Sequence, residues 1–219
     1  AVVIVNYSSS KEGADRVVAE ITRKGGKAVA VHGNLAKPEE IKGVIEASNK
    51  AFGAIDILVN NAGVYEFAPI DAITPEHFHK QFNLNVLGLL LLTQEALRGF
   101  NANGGCIVNI SSGVTTITPP NSAVYTATKA AVDSLTMVLS KELASRNIRV
   151  NAVNPGLIQT EGVEAAGFHE GDMRNWIESV TPMGRIGTVD EIASVVAFLA
   201  SSDAAYVTGE TLHITGGLR

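Results

Sequence analysis

Short apolar runs alternate with longer segments of helical periodicity along nearly the whole chain. The apolar runs predict strands over residues 2–5, 27–32, 55–59, 106–112, 148–153 and 211–215. Apolar residues at helical spacing predict helices over residues 11–24, 38–53, 75–99, 122–146 and 189–200. Because short buried strands alternate with helices, the pattern predicts an α/β fold with a doubly wound parallel sheet in three layers.

One stretch departs from this alternation. Residues 157–182 are irregular and rich in glycine, glutamate and histidine. No linker or low-complexity segment divides the chain, and its 219 residues suit one core. We therefore predict a single domain over residues 1–219.

The composition excludes several classes of protein. Apolar residues make up 46% and charged residues 18% of the chain, which is typical of a compact fold. The net charge is −5 and the basic residues are scattered, so no nucleic-acid-binding face is expected. The most apolar stretch, residues 86–92, is too short for a membrane span, and the opening run lacks the basic flank of a signal peptide. Cys106 is the only cysteine, which favours a reducing, cytoplasmic location.

Polar and small residues follow five of the predicted strands. Such residues form turns, and an ordinary turn explains any one of these sites. The carboxyl ends of parallel strands, however, meet at one edge of the sheet, where folds of this type bind ligands. Together the strand ends favour a ligand crevice lined by residues 7–11, 33–35, 60–63, 111–113 and 154–156.

The segment YTATK places Tyr125 and Lys129 one turn apart on a predicted helix, and Ser112 ends a strand shortly before it. A phenol has a pKa near 10 and is a poor acid–base group at neutral pH. An ammonium at about 4 Å, in an effective dielectric of about 20, favours the phenolate by roughly 4 kcal/mol, or about three pKa units. The three residues therefore predict an acid–base site, although the pair alone also suits an ordinary helix surface.

Five motifs occur in an order and spacing that belong to a known family. They are NNAG at 60–63, FNLNVLG at 82–88, NISS at 109–112, YTATK at 125–129 and NPG at 154–156. On these motifs the chain resembles the short-chain dehydrogenase/reductases in their compact one-domain form. Residues 182–217 are similar to the branch of β-ketoacyl-carrier-protein reductases and glucose dehydrogenases. The resemblance covers residues 1–217 and implies a Rossmann-like fold and an NAD(P)-dependent oxidoreductase acting on CH–OH groups.

The resemblance implies four catalytic residues. Tyr125 is the general acid–base group, Lys129 lowers its pKa and holds the nicotinamide ribose, and Ser112 positions the substrate oxygen. Asn85 shapes a helix and holds a water in the proton relay. Besides Tyr125 and Lys129, the implied cofactor-binding residues are Asn34, Leu35, Asn60, Ala62, Gly63, Pro155, Gly156, Ile158 and Thr160.

The end of the first strand bears on the choice of cofactor. An acidic residue at this place holds both ribose hydroxyls of NAD and rejects a 2′-phosphate. Here Tyr7, Ser8, Ser9 and Lys11 occupy the place, and the first acid is Glu12. Hydroxyl donors and a cation suit a phosphate, so NADP is expected in preference to NAD.

The resemblance also places a strand, a glycine-rich TGxxxGxG turn and a helix before residues 2–5. That pattern does not occur in these 219 residues. Since such a unit takes on the order of 30 residues, we expect the sequence to be an incomplete version of a longer chain. A chain without the unit is expected to bind dinucleotides poorly.

The substrate is expected to be a small carbonyl compound or alcohol, and several candidates stay open. They are a ketone or aldehyde, a 3-oxoacyl carrier protein, and a sugar oxidised at its first carbon. A catalytically silent nucleotide-binding relative is a rival of a different class. Carrier-protein reductases dock the carrier on basic residues near the entrance, and residues 101–106 contain none, although Arg174 is a candidate contact.

By the resemblance, residues 157–182 form a lid that sets substrate specificity. The lid contains the apolar residues Phe168, Trp176 and Ile177, and Tyr65 and Phe67 follow the NNAG loop. These five side chains are expected either to form an apolar wall of the substrate site or to pack the lid against the body of the protein. A metal site at His169 with Glu164, Glu170 and Asp172 is not expected, because solvated loop charges explain these residues.

The helix around residues 86–97 is apolar nearly all round, which a helix with one solvent face is not. The helix at 126–139 carries small and apolar residues on more than one face. In relatives these two helices pair across a two-fold axis, so a homotetramer is expected, with a dimer as the alternative.

Overall fold

The computed structural model describes residues 1–160, 163 and 171–219. Its strands are β1 (Val2–Tyr7), β2 (Lys27–His32), β3 (Ile57–Asn60), β4 (Gly105–Ile110), β5 (Ile148–Pro155), β6 (Ile158–Gln159), β7 (Gly187–Thr188) and β8 (Thr211–Ile214). Its α-helices are α1 (Lys11–Arg23), α2 (Pro38–Phe52), α3 (Pro75–Phe82), α4 (Leu89–Ala96), α5 (Val114–Ile117), α6 (Ala123–Leu143), α7 (Asp172–Val180) and α8 (Val189–Ala200). Each predicted strand is confirmed, and so is each predicted helix except that at 75–99, which is divided in two; the short elements β6, β7, α5 and α7 were not predicted.

All strand pairs are parallel, which confirms the predicted sheet type. β1 pairs with β2, β3-β4-β5-β8 form a four-stranded sheet, and β6 pairs with β7. Within the described residues, no backbone ladder joins the β1-β2 pair to the four-stranded sheet. The further strand expected before β1 stays a prediction, as does the single-domain organisation.

Alternate residues of the central strands supply the two sides of the core, because side chains of a strand point to opposite faces. Ile107 and Val150 lie in a cluster with side chains of α2 and α4. Cys106 and Val108 lie in a second cluster, against Leu199 of α8. The sheet is thus covered by helices on both faces, as the three-layer prediction requires. Burying each such aliphatic side chain contributes roughly 1.5–3 kcal/mol to stability.

The predicted helix at 75–99 is interrupted. A π-helical turn, Asn83–Gly88, separates α3 from α4, which ends at Ala96. Gly88 closes this turn against the loop after β2, since a Cβ there would lie 2.4 Å from the Leu35 carbonyl oxygen. Only glycine permits this approach, and it fixes the position of the turn that carries Asn85.

Among the described residues, none of the helices combines the length and the apolarity that a membrane span needs.

Candidate active site

The carboxyl ends of β4 and β5 are locked together next to Ser112. Gly113 N donates to the Pro155 carbonyl at 2.7 Å, and the Ser111 hydroxyl donates to the Lys129 carbonyl at 3.1 Å. Ser112 is buried, and its hydroxyl accepts a hydrogen bond from Val114 N at 3.3 Å. The hydroxyl is therefore held where the strand ends.

Tyr125 and Lys129 lie one turn apart on α6, as the spacing predicts. Lys129 is only 6% exposed, and its Nζ donates to the Ile110 carbonyl at 2.8 Å. The Nζ lies 5.9 Å from the centre of the Tyr125 ring. The ring is half-buried, and its hydroxyl is hydrogen-bonded to Ser112. Ser112, Tyr125 and Lys129 are thus brought together.

The pKa of Tyr125 differs from the expectation. Burial raises it above its ordinary value, the hydrogen bond from Ser112 acts in the opposite direction, and the Tyr65 phenol raises it further. Lys129 is not among the causes of this shift, and its Nζ lies 5.9 Å from the ring centre, so the lowering expected from Lys129 is not found in this structure. Tyr125 therefore keeps its proton at neutral pH.

Burial lowers the pKa of Lys129 to about 8, and the charge of Asp133 opposes this fall. At a pH below 8 the amine is charged in both the folded and the unfolded chain, so folding carries the full desolvation cost. Between pH 8 and the ordinary value of 10.5 the folded amine loses its proton first, and the cost disappears. The free energy of unfolding, relative to that of Lys129→Met, is therefore expected to rise by about 3 kcal/mol across this interval.

Urea unfolding of both proteins below pH 8 and above pH 10.5 measures this difference. Methionine keeps the length of the side chain without its charge. Parallel pH profiles of the two proteins would contradict the assigned burial of the amine.

Asn85 holds the chain that follows β3. Its Oδ1 accepts from Val64 N and its Nδ2 donates to the Val64 carbonyl, both at 2.8 Å. The same Nδ2 lies 3.1 Å from the Thr128 hydroxyl on α6. The side chain is 1% exposed, so it joins the π-turn, the loop after β3 and the helix of Tyr125. The expected place in a proton relay stays a prediction.

Asn60, at the end of β3, donates to Asn109 Oδ1 at 2.8 Å and to the Thr93 hydroxyl at 3.1 Å. Its own Oδ1 is buried and lacks a partner within the described part of the chain. Next to it, Ala62 and Gly63 are exposed. A Cβ on Gly63 would lie 3.3 Å from Asn85 Oδ1 and 3.5 Å from Lys129 Nζ.

These observations test whether the residues fit a dinucleotide. Among the described residues, Lys129 Nζ uses one of its three N–H groups, in its bond to Ile110. The main chain at Gly63 leaves the space beside that ammonium clear, and Asn60 keeps a buried acceptor. The two remaining N–H donors of Lys129 and the Asn60 Oδ1 acceptor, near the main chain of Gly63, suit the hydroxyls of a nucleotide sugar.

The residues after β1 form a second group, at the start of α1. Ser8 and Ser9 are exposed there. Lys11 is also exposed, but its Nζ is paired with Asp15 at 2.6 Å. The Tyr7 ring packs edge-on against His32 at 5.3 Å. Two hydroxyls and a cation thus lie close together, with the cation already paired.

The loop after β2 differs in part from the expectation. The side-chain Oδ1 of Asn34 accepts a hydrogen bond from Ala36 N at 2.9 Å, which leaves the side-chain Nδ2 to donate to a ligand. Leu35 is buried in the core, so its side chain does not line a nucleotide site. A contact from Leu35 must come from its main chain.

The segment after β5 is half-buried and partly engaged. Gly156 N donates to the Ile214 carbonyl at 3.0 Å, and the Thr160 hydroxyl accepts from Val163 N at 3.1 Å. Ile158 lies in β6 and borders a small apolar cavity with Ile177 of α7. Pro155 and Gly156 are therefore next to Ser112, and Ile158 and Thr160 lead away from it towards α7.

Sequence reasoning missed a polar group beneath Ser112. Asn154 Nδ2 lies 2.9 Å from Asp133 Oδ2, 3.2 Å from the Thr115 hydroxyl and 3.3 Å from the Ser112 carbonyl. Asp133 follows Lys129 by one turn of α6, which is the signal that could have identified it. This group fixes the main chain at Ser112 from below.

Several further expectations concern the lid. Phe168 and the acidic and histidine residues weighed as a metal site, except Asp172, lie outside the described residues, and the side chain of Asp172 is not described either. The described residues contain no metal-type cluster of three histidine, cysteine or carboxylate side chains. Trp176 is half exposed on α7, and Arg174 is paired with Glu178 at 2.9 Å.

The expectation that residues 101–106 lie near the active-site entrance was wrong. Residues 101–104 precede β4 and residues 105–106 begin it, and Gly105 N donates to the Asn147 carbonyl, just before β5 begins. The segment therefore lies at the amino ends of the parallel strands, opposite the edge that carries Ser112. Its lack of basic residues says nothing about docking of a carrier protein.

The family model described as enoyl-(acyl carrier protein) reductase matches residues 1–219. An uncharacterized oxidoreductase from Methylorubrum extorquens is 51% identical, over 100% of this chain and 88% of its own length. The 3-oxoacyl-(acyl-carrier-protein) reductase FabG of Staphylococcus aureus is 38% identical, over 99% of this chain and 87% of its own length.

Two solved structures are similar to this chain over nearly its whole length. The angucycline C-6 ketoreductase LanV with bound NADP has a TM-score of 0.93 and 32% identity, over 100% of this chain and 86% of its own. A gluconate 5-dehydrogenase from Burkholderia cenocepacia, in complex with NADP and tartrate, has a TM-score of 0.90 and 33% identity, over 98% of this chain and 84% of its own.

Proposed function

Because this chain belongs to the short-chain dehydrogenase/reductase family and is an NAD(P)-dependent oxidoreductase, we propose that it reduces a ketone or aldehyde to the alcohol with NADPH. Tyr125 is the proton donor, Ser112 holds the substrate oxygen, and Lys129 holds the ribose of the nicotinamide nucleotide. The reverse reaction uses the same residues in the opposite protonation states.

The observation that carries this proposal is the placement of the Tyr125 phenol beside Ser112 and one helical turn from the buried Lys129. A phenol whose pKa burial holds above its ordinary value keeps its proton at neutral pH. It is therefore ready to protonate an oxygen on which negative charge develops, as a carbonyl oxygen does when hydride reaches its carbon. The bound nucleotide supplies the hydride, and the protein orients the partners and moves the proton.

The neighbouring residues support this step by position. The Ser112 hydroxyl is hydrogen-bonded to Tyr125, so an oxygen held by Ser112 lies next to the phenol. Lys129 is anchored by the Ile110 carbonyl and offers its remaining N–H groups beside Gly63. Asn85 keeps the loop that carries Gly63 against α6.

NADP is the proposed cofactor. Both solved relatives described above contain NADP. In this chain Ser8, Ser9 and Lys11 at the start of α1 offer hydroxyls and a cation to a 2′-phosphate, at a helix N-terminus that favours anions. Lys11 must exchange its partner Asp15 for that phosphate.

We expect Lys11→Ala to raise the Kd of NADPH about fivefold while the Kd of NADH stays unchanged, because the variant loses an exposed cation that only the 2′-phosphate would contact. Lys24→Ala is the matched control, since Lys24 lies on the C-terminal side of the same helix, is equally exposed at 68%, and is also paired to a carboxylate four residues away. Titration of nucleotide fluorescence measures both constants. Equal losses for NADPH and NADH would place Lys11 away from the 2′-phosphate.

Two other substrates keep specific support. The 38% identical relative is a 3-oxoacyl-(acyl-carrier-protein) reductase, and a solved relative is a gluconate 5-dehydrogenase. Against a carrier protein, the described basic residues near the lid, Arg174 and Arg185, are engaged by Glu178 and Glu191. A catalytically silent relative is disfavoured because Asn85, Ser112, Tyr125 and Lys129 are all present.

A panel of ketones, acetoacetyl thioester and aldoses, each run with NADPH or NADP and with NADH or NAD, tests the proposal. We expect the largest kcat/KM for a ketone with NADPH. Nucleotide binding without turnover of any substrate would favour the silent relative.

We propose a homotetramer as the assembly. Leu87 beside α4 and Met137 and Val138 on α6 are 42–49% exposed, on the two helices that the family resemblance pairs across a two-fold axis. A cytoplasmic location is proposed on the composition alone.

A further inference from the structure

We propose that Tyr65 and Phe67 form the wall of the substrate site and select ketones that carry an aryl group on the carbonyl carbon. This inference rests on the proposed function, because it assumes that the substrate oxygen meets Tyr125 and Ser112. It concerns the substituent of the carbonyl rather than the reaction itself.

The two rings flank the catalytic phenol. The Tyr65 ring centre lies 6.1 Å and the Phe67 ring centre 6.2 Å from that of Tyr125, with interplanar angles of 57° and 65°. The Tyr65 and Phe67 rings lie 6.4 Å from each other. All three separations are in the range of edge-to-face and tilted aromatic contacts. Yet Tyr65 is 39% and Phe67 44% exposed, so part of each side chain faces solvent.

The main chain dictates this orientation. Residues 64–68 alternate between half-buried and exposed, which is the two-residue period of an extended segment. Val64 is held by Asn85, as described above, and Ala68 N donates to the Asn121 carbonyl at 2.8 Å. Anchoring the even-numbered residues sends the odd-numbered side chains, Tyr65 and Phe67, to the opposite side.

The middle anchor is Gln81 on α3, which is fully buried. Its Oε1 accepts from Glu66 N at 3.3 Å and its Nε2 donates to the Glu66 carbonyl at 3.2 Å. Gln81 and Asn85 thus repeat the same two-bond clamp, one helical turn apart. The structure assigns to Gln81 the part of a positioning residue for the two rings.

The chemistry of the wall decides between substrates. Glu66, the one charged side chain of the segment, is paired with Lys80. A flat apolar group beside the carbonyl can pack on the rings at tilted geometry. The hydroxyls of a sugar would lie against Phe67, which offers no hydrogen bond, and burying them there costs free energy.

The test compares kcat/KM for acetophenone and for 2-butanone, each with NADPH. The unaltered protein is expected to prefer acetophenone. Phe67→Ala is expected to raise the KM for acetophenone about tenfold more than the KM for 2-butanone, because the lost ring contact removes binding of the aryl group. Phe78→Ala is the control, since Phe78 is 40% exposed and stacks on Phe82, and among the described ring contacts it has none with Tyr125.

Gln81→Leu tests the clamp with little change in side-chain volume. It is expected to reproduce the selective rise of KM for acetophenone. It is also expected to lower the free energy of unfolding, because the N–H and the carbonyl of Glu66 lose their partners, so the rates are compared at a temperature where circular dichroism shows the variant folded. A loss of kcat for both ketones together would reduce Gln81 to a residue needed only for folding.

The outcomes separate the two levels of the proposal. If the protein reduces neither of the two ketones nor any other carbonyl compound, the proposed function is overturned. Turnover of both ketones with equal kcat/KM, or an equal loss for both in Phe67→Ala, would overturn the aryl wall and leave the proposed function standing. An equal loss for both ketones in Phe67→Ala is the result expected if the two rings only pack against the lid.

Discussion

Replacing Tyr125 by phenylalanine is expected to lower the turnover of carbonyl reduction about a thousandfold while the Kd of NADPH stays within about twofold. The substitution removes the hydroxyl that meets Ser112 but keeps the ring that packs against Tyr65 and Phe67. The nucleotide contacts proposed for Lys129 and Gly63 do not depend on that hydroxyl. Proton transfer should therefore be lost while binding is kept.

Steady-state rates and nucleotide titrations on the same samples measure both quantities. Tyr206→Phe is a suitable control, because Tyr206 is fully exposed and also loses one phenolic hydroxyl. A rate for Tyr125→Phe equal to that of the unaltered protein would remove Tyr125 from the mechanism.

The second large effect is expected for Asn85→Ala. It leaves the N–H and the carbonyl of Val64 without partners in a half-buried segment, and each such group costs about 1–3 kcal/mol. The free energy of unfolding should therefore fall by about 3 kcal/mol. The affinity for NADPH should fall with it, since Gly63 next to Val64 is no longer held beside Lys129.

Urea unfolding and nucleotide titration separate this positioning role from a relay role. Asn83→Ala is the matched control, since Asn83 is an exposed amide in the same π-turn. If Asn85→Ala lowers only kcat, with stability and NADPH affinity intact, the clamp on Val64 is unimportant and a place in proton transfer is favoured.

Most of the fold could be predicted from the sequence, because the patterns that indicate long strands and helices lie within the elements themselves. Buried strands such as β4 and β5 are apolar over their whole length, and α6 and α8 show helical periodicity with clear ends. Two-residue strands such as β6 are too short for any pattern. Their formation depends on the pairing of Ile158 with Gly187, which are distant in sequence.

The site was predicted unevenly for a similar reason. The proximity of Tyr125 to Lys129 follows from their spacing on one helix, and that of Ser112 from the ends of parallel strands. The pKa of Tyr125 depends on burial and on distances that spacing does not give. The clamp of Gln81 on Glu66 joins residues 15 positions apart, across a turn without a recognisable pattern.

One expectation could have been corrected from the sequence. Residues 101–104 precede a parallel strand, so they belong to the edge of the sheet opposite the catalytic one. The ion pair of Lys11 with Asp15 also follows from the sequence, because the two residues are four apart on a predicted helix. In both cases the place of a residue on its helix or strand gives information that its neighbours in sequence do not.

The most direct test of the central claim follows the hydride and the proton together. The purified protein is given NADPH deuterated at the transferring carbon and the best ketone of the panel, and the alcohol product is analysed by mass spectrometry and NMR. We predict one deuterium on the carbinol carbon for each NADPH oxidised, and about a thousandfold slower formation of the same product in Tyr125→Phe. Oxidation of NADPH without deuterium in an alcohol product would contradict that claim.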